Sequence, residues 1–332
     1  MRFRLGLTTK LTQHILSNRL RGNRRFAFVL MLEPTFKCNL SCEGCGRIRE
    51  YNQSLDKVLS VKECLDAADE CGAPIVSICG GEPLIYPHIF ELVESLVRKG
   101  KYIYLCTNGM LFKEKMDMLS PSGNLMVNFH IDGLENTHGA ITGFAGAYKK
   151  VMEAIKAAKE RGFFVCTNTT IYKQTDPSEI KELFKNLDGL GVNGFLISPA
   201  YGYVHVGEEF FMNRKELAVF FKSLEPEFKR YKFLNSPLYL EFAEGKRSLD
   251  CSPWANPTRN PLGWRSPCYQ LADRHFATYK ELTEKTDWDK YGPAGGDARC
   301  KECAVHCGFE PTSVLAGSSF KDIAKLIKWQ FS

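Results

Sequence analysis

The sequence lacks any run of 18 or more apolar residues, so we expect no transmembrane helix, which needs about 20 of them. The apolar segment Phe26–Leu32 is too short to span a bilayer and lies too far from the first residue to be a signal peptide. Internal repeats, low-complexity tracts, known nucleic-acid-binding motifs and aromatic-rich basic patches are also missing. These absences predict a cytoplasmic globular protein that does not bind nucleic acid.

Cysteine, in contrast, is abundant, with 13 residues in a chain of 332. Because no export signal is found, a disulfide framework is not expected. The cysteines concentrate in two groups whose spacing is typical of metal ligands, which predicts metal or iron–sulfur sites in a reducing compartment. The length and the 44% hydrophobic content suit one large domain with an appendage.

Positive charge gathers near the start of the chain. The net charge is +6, and part of the excess lies at Lys10, Arg19, Arg21, Arg24 and Arg25. Four apolar residues stand between these charges: Leu11, Ile15, Leu16 and Leu20. The pattern predicts a basic amphipathic helix within residues 1–25. Two interpretations stay open. The segment is either a solvated helix packed on the domain, or a peripheral helix that lies on the anionic inner face of the membrane.

Strand-like and helical patterns alternate between residues 26 and 200. The strand candidates are Phe28–Leu32, Ile75–Cys79, Tyr102–Cys106, Leu125–Ile131, Phe164–Ile171 and Gly194–Ser198. The helix candidates between them include Val61–Cys71, Ile89–Arg98, Tyr148–Arg161 and Glu179–Leu190. This alternation predicts an α/β fold in which six right-handed βα units form a partial barrel. Functional side chains then gather at the C-terminal ends of the strands.

Residues 201–332 form a cysteine-rich C-terminal region with a different pattern. We expect helices over Glu208–Phe233 and Phe320–Phe331. The stretch Asp250–Phe309 is rich in proline, glycine, tryptophan and cysteine and shows little periodicity. A segment of this composition needs a metal or another cross-link to be ordered, and its cysteines can supply the ligands.

Three cysteines follow the first predicted strand in a C-x3-C-x2-C motif, Cys38, Cys42 and Cys45. Three thiolates so close in sequence can bind three irons of a [4Fe–4S] cluster and leave the fourth iron open to a substrate. The alternative is a zinc site, but structural zinc takes four protein ligands. The motif therefore favours an iron–sulfur cluster that passes an electron to a bound ligand.

Polar residues lie at the ends of the other strands. They are Gly80, Gly81 and Glu82 after the second strand, Asn108 after the third, His130 and Asp132 at the fourth, Asn168 on the fifth and Ser198 on the sixth. Alternatives stay open for three of them. Asp132 with Gly133 also fits a turn, and Asn168 and Ser198 also fit satisfied polar groups of the core.

The cysteine motif and the Gly-Gly-Glu-Pro loop one βα unit later resemble the radical S-adenosylmethionine (SAM) superfamily. The resemblance implies that SAM binds the open iron and is cleaved to methionine and a 5′-deoxyadenosyl radical. It further implies that Gly80, Gly81 and Glu82 bind the SAM amino group, with the Glu82 carboxylate or nearby backbone carbonyls accepting.

The other polar strand-end residues are then candidates for ribose and adenine contact: Asn108, His130, Asp132, Asn168 and Ser198. One departure stands out. Many family members have an aromatic residue just before the third cysteine, near the adenine, but this chain has Gly44. We therefore expect the apolar contact of the adenine to come from another part of the chain.

A second group of cysteines lies in the C-terminal region: Cys268, Cys300, Cys303 and Cys307. Four thiolates suit zinc or a closed auxiliary [4Fe–4S] cluster. Cys251 is a fifth thiol, and His306 is a further ligand candidate. Three alternatives stay open here: an auxiliary cluster, a zinc ion, or unligated thiols.

Longer segments are similar to the adenosylhopane synthase family of hopanoid biosynthesis. They are Val29–Pro34, Cys71–Pro74, Tyr102–Asn108, Cys251–Arg259, Gly263–Trp264, Pro267–Tyr269, Thr286–Asp289 and Val305–Glu310. The resemblance implies addition of the 5′-deoxyadenosyl radical to the terminal alkene of diploptene, with SAM as co-substrate. It implies a hydrophobic lipid substrate, and an electron donor such as flavodoxin or ferredoxin is expected.

Radical addition to this alkene would leave a tertiary carbon radical, which a thiol can quench. Cys106 ends the third predicted strand and belongs to neither cysteine group, so we predict that it donates the hydrogen atom. The alternative is that Cys106 is a small apolar core residue. Cys79, at the neighbouring strand end, is a rival donor.

Two other functions were weighed. The first is another radical SAM enzyme, such as a peptide-modifying maturase, although about 25 residues before the first strand leave little room for a peptide-recognition domain. The second is a non-catalytic iron–sulfur or zinc protein, which would have no need of an amino-acid pocket at Gly80–Pro83.

Overall fold

The computed structural model describes residues 2–203, 206–315 and 319–332. Its nine strands are β1 (Val29–Leu32), β2 (Ile75–Ile78), β3 (Tyr102–Thr107), β4 (Leu125–His130), β5 (Phe164–Ile171), β6 (Gly194–Pro199), β7 (Thr258–Asn260), β8 (Gly263–Pro267) and β9 (Ala272–Phe276). They form one sheet in the order β6-β5-β4-β3-β2-β1-β7-β8-β9. The pairs from β6 to β7 are parallel, and β8 and β9 add an antiparallel hairpin at one edge.

Helices connect the strands and build most of the C-terminal region. They are α1 (Leu5–Leu20), α2 (Gly46–Glu50), α3 (Val61–Cys71), α4 (Ile89–Arg98), α5 (Phe112–Lys115), α6 (Glu135–Thr142), α7 (Ala147–Glu160), α8 (Pro177–Gly189), α9 (Arg214–Ser223), α10 (Glu225–Arg230), α11 (Pro237–Ala243), α12 (Tyr279–Lys285), α13 (His306–Leu315) and α14 (Phe320–Phe331). In the described part of the chain no helix is long and apolar enough to cross a membrane.

The predicted α/β fold is confirmed, and the six predicted strands match β1–β6 to within one residue at each end. Local signals account for this accuracy. Ser60 and Glu63 form a capping box at the start of α3, and Gly72 ends that helix in the left-handed conformation with φ 66°. Strands of this kind, buried on both faces and joined by helices, favour parallel pairing.

Side chains on each strand alternate between two cores. In β3, Ile103 and Leu105 pack under the surrounding helices, while Tyr102 and Tyr104 lie in a smaller cluster inside the barrel. Cys106, two residues further on, faces the same interior. The lower part of the interior is apolar, and the C-terminal strand ends carry the polar residues. The fold thus directs the polar groups to one mouth.

Helix α1 covers the amino-terminal end of the barrel. Leu7 is only 2% exposed and packs with the interior cluster, and Leu11 and Ile15 also contact the domain. Leu16 and Leu20 instead face solvent, 54% and 88% exposed. The predicted apolar stripe is therefore divided between two sides of the helix, and its inner half has a packing role.

The C-terminal region extends the barrel sheet across the predicted boundary at residue 200, because β7 pairs with β1 through Met31 and Thr258. The helical structure predicted over Glu208–Phe233 is present in most of that stretch. The chain forms α9 and α10 there, and they separate where Pro226 stands in the first turn of α10, since proline cannot continue a helix. The hairpin and α12 also lie in the stretch Asp250–Phe309, where the sequence shows no clear period.

Candidate active site and its two cysteine groups

Three thiols meet on the loop between β1 and α2, and we call Cys38, Cys42 and Cys45 the cysteine triad. Each is partly exposed. The pKa of Cys38 is raised to about 11, chiefly by burial, with a smaller contribution from the nearby charges of Glu82 and Cys45. Burial also raises the pKa of Cys42, as do the neighbouring Cys45, Asp132 and Cys38. The loop therefore brings the three predicted ligands together.

Donors from the protein surround this loop. The backbone N–H of Leu40 and the side-chain amide of Asn108 donate to the Cys38 sulfur at 3.5 and 3.7 Å. Arg49 donates to the carbonyl oxygens of Cys42 and Cys45 at 3.1 and 2.7 Å. Hydrogen bonds to cluster sulfurs tune the reduction potential, so the triad has the surroundings of a cluster ligand set.

No three His, Cys, Asp or Glu side chains among the described residues are arranged to hold a single metal ion. A cubane cluster does not require such convergence, because each thiolate binds a different iron atom. The cysteine triad, with its N–H donors and no fourth cysteine on the loop, fits a [4Fe–4S] cluster that has one open iron.

The Gly-Gly-Glu loop after β2 packs tightly against the triad loop. A Cβ atom at Gly80 would lie 2.6 Å from the carbonyl oxygen of Thr35, and one at Gly81 would overlap the Lys37 backbone. Gly80 also has φ 104°, a conformation that favours glycine. Only glycine therefore allows this close approach of the two loops.

Glu82 is buried, and both of its carboxylate oxygens have protein donors. Oε1 accepts from the Leu84 N–H at 3.0 Å and from the Thr107 hydroxyl at 2.8 Å, and Oε2 accepts from the Asn108 N–H at 2.8 Å. Burial raises its pKa despite these donors. Glu82 thus fixes the ends of β2 and β3, and the backbone carbonyls of its loop are better placed to accept from an ammonium group.

A hydrogen-bonded row crosses the ends of β4 and β5. His130 Nε2 lies 2.8 Å from Asp132 Oδ2, and His130 Nδ1 lies 3.3 Å from the Asn168 amide nitrogen. Burial alone would lower the pKa of His130, but the Asp132 carboxylate reverses this and the pKa is raised. Asp132 Oδ1 accepts from the Thr170 N–H at 2.7 Å, so its carboxylate positions His130. The Asn168 Oδ1 is buried and has no protein partner among the described residues.

Cys106 lies on the inner wall of the barrel, one level below this row. Its sulfur is 3.4 Å from the Ser77 hydroxyl and 3.6 Å from the Asn128 amide nitrogen. Burial raises its pKa, and the hydrogen bonds with Ser77 and Asn128 oppose that shift. The thiol is thus partly exposed to the interior and protonated at neutral pH.

Five thiols meet in the C-terminal region, and we call Cys251, Cys268, Cys300, Cys303 and Cys307 the second cysteine group. Burial raises the pKa of Cys303, and the neighbouring Cys307, Cys268 and Cys300 add to the effect. The pKa of Cys251 is raised by burial and by the four other thiols, Cys303, Cys268, Cys307 and Cys300. Four of the group, with Tyr201 and Phe309, line one cavity. The structure therefore joins Cys251 to the four predicted ligands.

His306, the other candidate ligand, lies at the end of β6, where its backbone N–H donates to the Ser198 hydroxyl at 3.4 Å. Ser198 itself is buried and donates to the Pro199 carbonyl at 3.2 Å. Burial lowers the pKa of His306 to about 4, so its imidazole is neutral. Ser198 is thus satisfied by protein, and its contact with adenine stays a prediction.

Known families match nearly the whole chain. The radical SAM superfamily model covers residues 32–217, and a domain of unknown function, DUF3463, covers residues 195–328. This chain belongs to the radical SAM superfamily. The superfamily match spans the triad loop, the Gly-Gly-Glu loop and strands β2–β6, whereas the DUF3463 match spans the second cysteine group.

Curated relatives are radical SAM enzymes of several kinds. Pre-heme d1 synthase of Dinoroseobacter shibae is 30% identical over 51% of this chain and 43% of its own length. The subtilosin biosynthesis protein AlbA of Bacillus subtilis is 24% identical over 74% of this chain and 56% of its own. The chain spans about half the length of the curated relatives it matches.

Solved structures support the fold. Streptococcus suis SuiB bound to its precursor peptide SuiA aligns with a TM-score of 0.64 at 16% identity, over 90% of this chain and 74% of that chain. Native anSMEcpe with bound AdoMet and the Kp18Cys peptide aligns with a TM-score of 0.55 at 17% identity, over 92% of this chain and 97% of that chain. The radical SAM fold with its C-terminal extension is therefore shown, and the identities are too low to carry more.

Two tyrosines that the sequence analysis missed complete the radical SAM loop. The Tyr172 ring, just after β5, occupies the space that a Cβ atom at Gly44 would need, and the Tyr203 ring does the same at Gly46. Glycine on both sides of Cys45 is therefore required by packing. The absence of an aromatic residue before the third cysteine was the sequence signal that a ring from another segment fills this space. Tyr172 supplies that ring.

Two buried arginines, also missed, join α2 to the second cysteine group. Arg265 donates to the carbonyl oxygens of Cys268 at 3.2 Å, Leu271 at 2.9 Å and Gln270 at 3.0 Å, and it pairs with Glu50 at 3.0 Å. Arg47 pairs with the fully buried Glu33 at 2.9 Å and donates to the Tyr269 carbonyl. The charges of Arg47 and Arg265 have partners only when α2 and the segment around Cys268 are folded against each other.

Proposed function

We propose that this radical SAM enzyme adds the 5′-deoxyadenosyl radical to the terminal alkene of a hopanoid, diploptene, to form adenosylhopane. The observation that carries the proposal is the Cys106 thiol on the inner wall of the barrel. It belongs to neither cysteine group, and it is partly exposed to the interior. Radical addition to an alkene leaves a carbon radical that becomes the saturated product by gaining a hydrogen atom, whereas a substrate radical formed by hydrogen abstraction can also end by passing its electron to an auxiliary cluster.

The residues at the barrel mouth would bind and orient SAM. When bound at the cysteine triad, the [4Fe–4S] cluster supplies the electron that cleaves SAM. The backbone carbonyls of the Gly80–Gly81 loop accept from the SAM ammonium group. Asn168 offers a buried acceptor that has no partner in the described part of the chain, which suits a ribose hydroxyl, and Asp132 holds His130 beside it. The Tyr172 ring offers an apolar surface for the adenine.

Cys106 would complete the reaction. Addition of the radical to the terminal carbon of the alkene forms a C–C bond and leaves a tertiary carbon radical. Cys106 donates its hydrogen atom, so an S–H bond breaks, a C–H bond forms, and a thiyl radical remains on the sulfur. One electron and one proton from a reductant of the flavodoxin or ferredoxin class restore the thiol.

Cys79 is the less suitable donor. It is buried, with 8% exposure, and burial raises its pKa well above the ordinary value, with Tyr269 hydrogen bonded to it. Cys106 is partly exposed to the interior. A substrate radical in the barrel therefore meets the Cys106 sulfur more readily than the Cys79 sulfur.

The substrate class rests on two observations. The lower interior of the barrel is filled by apolar side chains, among them Tyr102, Tyr104, Met126 and Phe164 with Leu7 of α1, and this apolar floor beneath the mouth suits contact with a hydrocarbon. The segments similar to the adenosylhopane synthase family also include much of the C-terminal region, as in Cys251–Arg259 and Val305–Glu310.

A second candidate function is peptide modification with an auxiliary cluster. It is favoured by the likeness to AlbA over 74% of the chain and by the likeness to the SuiB fold over 90% of it. In this alternative Cys106 has a packing role, and the abstracted hydrogen ends on 5′-deoxyadenosine. The two functions therefore predict different fates for the adenosyl group.

The test is anaerobic incubation of the reduced, cluster-loaded enzyme with SAM and diploptene, followed by mass analysis. We expect a lipid adduct that contains the intact 5′-deoxyadenosyl group, and no adduct with the Cys38→Ala variant. Free 5′-deoxyadenosine without any adduct would overturn the proposal and favour the second candidate. Absence of SAM cleavage in a protein with a full iron and sulfide content would contradict both.

A further inference from the structure

Helix α14 attaches to the protein through its polar residues. Asp322 is buried and pairs with Arg247 at 2.6 Å, and Lys325 contacts Glu241. Gln330 is 6% exposed and donates to the Phe3 carbonyl at 2.8 Å and the Thr8 hydroxyl at 2.9 Å. A surface helix of a soluble domain normally buries its apolar face, but of the large apolar residues of α14 only Leu326 and Trp329 are half-buried, and Trp329 packs on Phe3.

The other large apolar residues of α14 face solvent. Four of them share one side of the helix: Phe320 at 89% exposure, Ile323 at 45%, Ile327 at 55% and Phe331 at 61%. Their spacing places them within about one third of the helix circumference. Single exposed apolar residues are ordinary, but a continuous exposed stripe marks an interaction surface. We call these four residues the outer stripe.

The charges beside the outer stripe are positive. Lys321 and Lys328 are both exposed, and each lies next to an outer-stripe residue along the helix. The only acidic residue of α14, Asp322, faces inward to Arg247. An apolar stripe bordered by lysines complements an anionic lipid surface, where acyl chains lie beneath negatively charged headgroups.

We propose that the outer stripe of α14 docks this protein on an anionic lipid bilayer. The helix has 12 residues and is about 18 Å long, so it lies in the plane of the interface and does not span the membrane. The outer stripe enters the headgroup region, and Lys321 and Lys328 contact the lipid phosphates. This surface differs from the basic segment of residues 1–25, whose Leu7, Leu11 and Ile15 pack on the barrel.

The docking orientation follows from the position of α14. It contacts α1 through the hydrogen bond from Gln330 to Thr8, and α1 covers the amino-terminal end of the barrel. The cysteine triad lies at the opposite end of the strands. Docking through α14 therefore places the bilayer on the side of the molecule that carries α1. The inference does not depend on the identity of the alkene.

The test is co-sedimentation of the full chain with vesicles of phosphatidylcholine alone or mixed with phosphatidylglycerol. We expect the Ile323→Glu/Ile327→Glu variant to lose about tenfold or more in partition to the mixed vesicles, since two apolar side chains leave the interface. Val219→Glu is the control matched to the single Ile323→Glu variant, because Val219 is 70% exposed on α9 and each of these two variants gains one negative charge. Lys321→Gln/Lys328→Gln should weaken binding at low salt and abolish much of its salt dependence.

Circular dichroism and iron content of each variant should match those of the unaltered protein, since none of these side chains is buried. Equal binding of the Val219→Glu control and of either the Ile323→Glu or the Ile323→Glu/Ile327→Glu variant would overturn the proposal. Light scattering supplies a second readout. If the unaltered protein does not bind vesicles and is a dimer that the double variant converts to a monomer, the outer stripe is an interface between two copies and the membrane proposal is wrong.

Discussion

The two cysteine groups differ in how the chain assembles them and in the number of thiols they offer. The triad spans eight residues of one loop and offers three thiols, so a cubane held there keeps one open iron. The second cysteine group is drawn from separate segments between residues 251 and 307 and offers five thiols, one more than a closed cubane takes. The first group is thus suited to chemistry on a substrate, and the second to a closed site.

The two cysteine groups also differ in the parts of the chain that surround them. Donors to the triad come from its own loop, from α2 and from the end of β3. The second cysteine group forms only when the β8–β9 turn, the segment at Cys300–Cys303 and α13 have packed together. Arg265 binds three carbonyls of that turn and also Glu50 of α2, so the two groups are structurally coupled.

The largest effect is expected from the triad. Replacement of Cys38, Cys42 or Cys45 by alanine should abolish formation of 5′-deoxyadenosine from SAM, because two thiolates do not hold a cubane with an open iron. Chromatography of anaerobic reactions measures the nucleoside. The matched control is Cys64→Ala, since Cys64 is fully buried in α3 away from both groups. Substantial 5′-deoxyadenosine from any triad variant would contradict the assignment.

Cys106 should separate cleavage of SAM from completion of the product. In deuterated water the unaltered protein should place one deuterium at the quenched carbon with one configuration, because a thiol exchanges its proton with solvent. Cys106→Ala should still cleave SAM but should lose the adduct or give mixed stereochemistry. Cys79→Ala is the matched control at the neighbouring strand end. Unchanged rate and configuration with Cys106→Ala would assign this thiol to packing alone.

The second cysteine group should keep its metal when the triad is removed. In the triple Cys38/Cys42/Cys45→Ala variant we expect iron and acid-labile sulfide to persist, measured by elemental and sulfide analysis. About one zinc per chain without sulfide would make the site structural zinc, and neither metal would leave the thiols unligated. Cys303→Ala should lose this metal, while Cys251→Ala, the fifth thiol, should retain it.

Sequence reasoning succeeded where the signal is local. The triad, the Gly80–Gly81 loop and the boundaries of β1–β6 depend on neighbouring residues, and the structure places them as expected. It failed where a feature depends on contacts between residues that are far apart in the sequence. The roles of Tyr172 at Gly44 and of Arg265 across two regions depend on residues more than a hundred positions apart, and neither has a period or a motif. The hairpin of β8 and β9 lay in a segment whose prolines and glycines conceal any alternation.

The smallest expected effect concerns Glu310, on α13 where the C-terminal region meets the barrel. Its carboxylate accepts from the Ser236 N–H at 3.0 Å and from the Asn235 amide at 3.1 Å. Burial nevertheless raises the pKa of Glu310 to about 7, and these donors only reduce the shift. The carboxyl group therefore holds its proton in the folded protein at a pH where the unfolded chain has lost it.

A carboxyl pKa that is raised on folding makes stability fall as the pH rises. The contribution of Glu310 is fully present below its unfolded pKa of about 4.3 and is lost as the pH approaches about 7, a decrease of at most roughly 3 kcal/mol. Anaerobic urea unfolding between these limits measures it. Glu310→Gln should remove this part of the pH dependence, whereas Glu284→Gln, 61% exposed on α12, should not. If Glu310→Gln has the same pH dependence as the unaltered protein, the carboxyl titrates as an ordinary surface group, and the junction between the two cysteine-bearing regions is insensitive to pH.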